Sequence, residues 1–130
     1  MENNNLKSKL ETIAESKKEN DEKIIIEFKE IVTFDWDRLY ILTPYASPEE
    51  YAKEQNIEGI NLINTDIDIN DGNNLLIFVL DKKIVSYVNY PRSKGDFYNS
   101  IKYEQDGLTP DEAIFEVTEE KDWLKIININ

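Results

Sequence analysis

Leu75-Leu76-Ile77-Phe78-Val79-Leu80 is an unbroken apolar run, and Ile84-Val85-Ser86-Tyr87-Val88-Asn89-Tyr90 follows it after only Asp81-Lys82-Lys83. Two β-prone segments joined by so short a polar link have one economical arrangement, an antiparallel hairpin. The first run is apolar at every position, which suits a central place in a sheet. The second alternates, and strict period two sends Ile84, Ser86, Val88 and Tyr90 to one face and Val85, Tyr87 and Asn89 to the other. Whatever else the chain forms has to be built around this unit.

At 130 residues the chain has the length of one domain. Residues 4–20 read as a helix with a thin apolar stripe of Leu6, Leu10, Ile13 and Ala14. Lys23 to Lys29 reads as a strand because of its β-branched run, and Arg38 to Leu42 as another. Ser47-Pro48-Glu49-Glu50 is helix-start grammar: a capping hydroxyl, a proline at the first turn and a glutamate three residues on. That helix is expected to end near Gln55, before Gly59, with an Asn/Asp-rich loop over 60–74. Ala113–Val117 and Trp123–Ile129 read as a last antiparallel pair around Glu119-Glu120-Lys121. The expected class is α+β: an antiparallel sheet of about five or six strands carrying an N-terminal helix and one short capped helix. Residues 1–22 are expected to be a helix or tether and 23–130 a single domain.

The chain has neither Cys nor His. Disulfides, Cys/His zinc sites, thiol nucleophiles and imidazole bases are therefore outside its chemistry. No serine sits in a Gly-x-Ser-x-Gly elbow, and no glycine-rich phosphate loop is present. Asp66, Asp68 and Asn70 have the alternate spacing that opens a calcium loop. Asp71 and Ile77 then occupy the positions where such a loop needs its glycine and its closing glutamate, so a solvated turn is the better reading. Asp35 and Asp37 flank Trp36, and a core Trp with a capping Asp explains them better than a carboxylate pair at work on a glycan. No enzyme activity, cofactor or metal is expected. Tyr87, Tyr90, Tyr98, Tyr103 and Phe97 are read first as sheet-packing residues.

Lys and Arg number 15 against 27 Asp and Glu, a net charge of -12. That sign disfavours nucleic acid and anionic membrane surfaces and favours a basic protein partner. Residues 96–130 hold 9 acids and 3 lysines, the steepest excess toward either end. No apolar run is long enough to cross a membrane as a helix. Residues 1–5 lack the apolar stretch of a signal peptide. This suits a cytoplasmic chain, or an envelope protein read without its leader.

The pattern Phe34-x-Trp36-Asp37-x-x-Tyr40-Ile41-x-x-Pro44-Tyr45, with Asn74-Leu75-Leu76-x-Phe78-Val79 and Tyr90-Pro91-Arg92 through Gly95-Asp96-Phe97, resembles a group of small uncharacterised bacterial lipoproteins frequent in low-GC Gram-positive bacteria. The resemblance covers roughly residues 24–130. It implies a lipid-bearing Cys after a leader, which this sequence does not contain, and it implies no catalytic residues. In overall character the chain is similar to immunity proteins that neutralise secreted antibacterial toxins, an analogy of profile and not of motif. The leading expectation is such an inhibitor, with Asp96, Tyr98, Tyr103, Glu104, Asp106, Asp111 and Glu112 contacting a basic toxin domain. The alternative is a lipid-anchored envelope module that takes a small molecule or glycan against Trp36, Tyr40 and Tyr45.

Overall fold

The hairpin forms as its sequence requires, but with a twist of register that reassigns one side chain. In the computed structural model, which describes residues 2–19, 21–98 and 107–129, strand β3 (Asn73–Leu80) pairs antiparallel with β4 (Lys83–Pro91). Phe78 faces Ser86 while Val79 faces Ile84, so Val85 is an extra residue and β4 bulges there. Strict alternation puts Ile84 on the face of Ser86, Val88 and Tyr90; the bulge turns it to the opposite face, where it packs with Tyr87. The hairpin turn is Asp81-Lys82, both at positive φ (50° and 68°), the mirror-image turn whose twist matches the strands it joins.

β2 (Arg38–Leu42) lies on the other side of β3, giving a three-stranded antiparallel sheet in the order β2-β3-β4. The remaining strands, β1 (Ile24–Glu27), β5 (Asp96–Tyr98), β6 (Ile114–Glu120) and β7 (Trp123–Asn128), form a separate sheet in the order β1-β6-β7-β5. The fold is α+β, as its residues indicate, but the strands divide between two sheets instead of joining one. The β5–β7 pair is parallel. The division follows from β3, which is apolar on both faces and needs cover on each. Leu76 and Phe78 enter a large cluster shared with Phe97, Phe115, Val117, Leu124 and Ile126 of the four-stranded sheet. Leu75, Ile77 and Val79 enter a second cluster on the opposite face.

Helix α1 (Asn4–Glu15) starts at Asn3, whose side chain accepts the Leu6 amide at 2.9 Å. Its stripe of Leu6, Leu10 and Ala14 is buried in the large cluster. Just before it, the chain covers the outer edge of β4: the Asn3 amide donates to the Tyr87 carbonyl (2.9 Å), and Glu2 Oε2 accepts the Asn89 amide (2.6 Å). β1 stops at Glu27, two residues earlier than its β-branched run suggests, and Phe28–Ile31 makes a single helical turn, α2. The turn swings the Phe28 ring inward against Phe78, Phe97 and Phe115, at centroid distances of 5.9, 6.3 and 5.5 Å. Full burial of such a ring contributes about 1.5–3 kcal/mol, which outweighs the short stretch of ladder that is lost.

Candidate functional site

Between β2 and β3 the chain leaves the sheet and lays a layer over its second face. Thr43 to Gly72 includes helix α3 (Pro48–Gln55), started by Ser47 Oγ accepting the Glu50 amide and ended by Asn56 in the left-handed region. Ala52, Ile57 and Ile67 are its inward side chains, packed on Tyr40, Leu75, Ile77 and Val79. The layer is pinned at its margins. The Ile84 amide donates to the Glu58 carbonyl, Thr65 Oγ1 donates to Asn89 Oδ1 at 2.6 Å, and the Tyr45 amide donates to the Ile67 carbonyl at 2.7 Å.

Its outer surface has an unusual make-up. Glu49, Glu50, Glu54, Glu58, Asp66, Asp68 and Asp71 all stand exposed, against Lys53 as the single basic residue. Among the described residues none of these seven carboxylates is in an ion pair. Tyr45, Leu62 and Ile69, the three most exposed large apolar side chains described, belong to the same layer. The calcium-like spacing is consumed internally: Asn70 Nδ2 donates to Asp66 Oδ2, and Asn70 Oδ1 accepts the Gly72 amide. Among the described residues no three carboxylates converge as a cation site.

At one margin of this layer an open cleft of about 370 Å³ lies between Thr43-Pro44-Tyr45, Asp71, Asn74, Arg92 and the Asp96-Phe97 start of β5. The three sequence segments that carry the resemblance to bacterial lipoproteins each send residues here: Pro44 and Tyr45 from the first, Asn74 from the second, and Arg92, Asp96 and Phe97 from the third. Arg92 forks onto Asp96, Nε to Oδ1 and Nη2 to Oδ2, both at 3.2 Å, and its Nη1 donates to the Asp71 carbonyl at 2.8 Å. The Asp96 hydrogen bond is the largest influence that raises the Arg92 pKa above its ordinary value. Beneath them Asn74 Nδ2 donates to Asp96 Oδ1 at 3.1 Å, and Asn74 Oδ1, wholly buried, has no donor among the described residues. Tyr45 is 66% exposed and holds φ = 70°, a conformation that strains a bulky residue. Gly95 makes the turn into β5 possible: at φ = 144° any Cβ would stand 2.7 Å from Ile126 Cδ1.

Of the seven expected contact residues, the structure describes the side chains of three, Asp96, Asp111 and Glu112. Asp96 is 9% exposed with its carboxylate committed to Arg92 and Asn74. Asp111 pairs with Lys29 at 3.0 Å on the exposed side of α2. Glu112 accepts the Thr109 amide at 2.9 Å, which lowers its pKa. Tyr103, Glu104 and Asp106 lie outside the described residues, as does the side chain of Tyr98. Of the alternative trio, Trp36 and Tyr40 belong to different clusters. Trp36 packs edge-on against Phe78 in the large cluster, and Tyr40 packs edge-on against Tyr51 on the other side of the sheet. Only Tyr45 of the three faces solvent. Asp37, beside Trp36, does cap a backbone amide, that of Asp81 at 3.1 Å.

The layer itself was within reach of a charge count. Taken over residues 38–95, its seven acids are diluted by Arg38, Lys82, Lys83, Arg92 and Lys94, which lie outside it. Among the described residues no helix is long and apolar enough to cross a membrane. Comparison of the chain with protein-family models, with curated proteins and with solved structures gives no match.

Proposed function

We propose that this chain is a non-catalytic protein-binding domain that docks a basic partner on the Thr43–Gly72 layer, in the manner of an immunity-type inhibitor of an antibacterial toxin. The observation that carries this reading is the coincidence, on one layer, of seven exposed unpaired carboxylates with Tyr45, Leu62 and Ile69. Carboxylates steer a basic partner and fix its orientation, while exposed apolar side chains supply area to bury. Either alone is ordinary on a protein surface; together they suit an interface.

This reading puts the docking face on the α3 side of the molecule, as an alternative to the C-terminal acids. The test is to capture basic proteins of the native host on this chain and to measure their binding at low and high salt. Asp66→Lys with Asp68→Lys is expected to weaken binding at least about tenfold, with Asp111→Lys nearly neutral. A partner that responds to Asp111→Lys and ignores the layer variants, or the lack of any basic partner, overturns the assignment. The envelope-module reading is weaker, since its Trp36 and Tyr40 are structural aromatics of two different clusters.

A further inference from the structure

We infer that the cleft between Tyr45, Asp71 and Asn74 seats an arginine side chain of the partner, an inference that rests on the docking reading above. Two acceptors of the cleft, Asn74 Oδ1 and the Asp71 carboxylate, lack a donor among the described residues. Asn74 Oδ1 has no donor, and its orientation is fixed because the amide nitrogen donates to Asp96; a flipped amide would set oxygen against oxygen. The Asp71 carbonyl is taken by Arg92, whereas no hydrogen bond or ion pair among the described residues takes its carboxylate. A site offering acceptors calls for a ligand made of donors. A guanidinium carries five N–H donors and no acceptor, whereas an anion would be repelled by Asp71 and Asn74 Oδ1.

Charge and shape agree with this choice. Arg92 is the one cation of the lining, and its fork is turned inward onto Asp96, so Asp71 and Asp96 leave the cleft net negative. Tyr45 adds an exposed ring at the rim, a face on which a guanidinium stacks. The ring is kept there at the expense of a left-handed backbone held by the bond from the Tyr45 amide to Ile67. Such strain in a bulky residue is common where the side chain has a task beyond packing. Asn74 is wholly buried, so a donor reaches its oxygen only as the side chains above it part.

The experiment titrates the isotope-labelled full-length chain with acetyl-Gly-Arg-Gly-amide and, separately, with the same peptide carrying neutral citrulline, and follows amide and side-chain NMR signals. Arginine peptide is expected to shift Tyr45, Asp71 and Asn74, and the citrulline peptide to bind at least about tenfold more weakly. Tyr45→Asn and Asp71→Asn should each abolish the response. Tyr45→Asn should leave the melting temperature unchanged or higher, because Asn tolerates positive φ; a residue serving only to pack would lower it. Equal shifts from both peptides, or shifts that persist in both variants, overturn the inference. The two readings fail separately. A basic partner that binds Asp71→Asn and Tyr45→Asn at full strength but is lost with Asp66→Lys/Asp68→Lys leaves the docking face and removes the arginine seat. Peptide binding at the cleft with no basic protein partner leaves the seat and removes the docking face.

Discussion

Gly95→Ala is the sharpest test of how the cleft is built. Residue 95 sits at φ = 144°, where an L side chain is strained by about 1–3 kcal/mol. The new methyl would meet Ile126 Cδ1 at 2.7 Å and Cγ1 at 3.2 Å, so the side chain of Ile126, a fully buried residue of β7, has to shift within its packing. Overpacking of that kind adds about 1–3 kcal/mol. With partial relaxation the expected loss is about 2–4 kcal/mol, read as a fall in the urea midpoint on the order of 1–2 M at unchanged slope. Ile126→Val removes the Cδ1 atom in closest approach, so Gly95→Ala should cost about 1–2 kcal/mol less in that background than in the parent. A loss below about 1 kcal/mol, or the same loss in both backgrounds, would refute the reasoning that the turn into β5 is fixed by contact with β7.

Other substitutions probe single interactions. Lys82→Gly relieves a positive φ in the β3–β4 turn while loosening the unfolded chain, and denaturant melts should show a net gain of about 0.5–1 kcal/mol. Glu112 has a pKa lowered mainly by the Thr109 amide, so its contribution is present above the ordinary carboxylate value and lost as pH falls through the lowered one. Glu112→Ala should accordingly flatten the stability profile below about pH 4.3 and leave its slope near neutrality alone. Burial, with Glu11 in second place, raises the Tyr90 phenol above its ordinary pKa, and its hydroxyl donates to the Lys94 carbonyl. Stability from that protonated phenol is complete below about pH 10 and declines as pH rises beyond it. Tyr90→Phe should remove this alkaline decline, at a cost of about 1 kcal/mol at neutral pH for the lost hydrogen bond.

What the sequence discloses here is whatever is decided locally. The β3–β4 hairpin and α3 declare themselves through a short polar link, Asp81-Lys82-Lys83, and a Ser-Pro-x-Glu start, signals that need no knowledge of distant residues. The partition into two sheets does not, because alternation says which side chains share a face and not which strands meet. β5 has three residues and pairs parallel with β7, so neither its length nor its neighbours mark it as a strand. The bulge at Val85 inverts Ile84 for the same reason: period two assumes an unbroken ladder. At the site, Asp96 stands out in the sequence for its charge, and its partner Arg92 lies four residues earlier. The acidic layer stands out only when residues 43–72 are taken together, a boundary that the fold defines. The orphaned acceptor of Asn74 is a property of three-dimensional packing, and no pattern of letters carries it.

β7, formed by residues 123–128, is an interior strand of its sheet, with β6 on one flank and β5 on the other. The domain therefore cannot close from its N-terminus onward as it leaves a ribosome: until Leu124 and Ile126 emerge, β5 has no ladder and the ring cluster of Phe28, Phe97 and Phe115 has no wall. Nascent or prematurely stopped chains would expose that apolar surface and present themselves to chaperones and proteases. Loss of residues 123–128 removes the middle of a sheet, so a chain that stops short of them leaves the apolar faces of β5 and β6 without their shared neighbour.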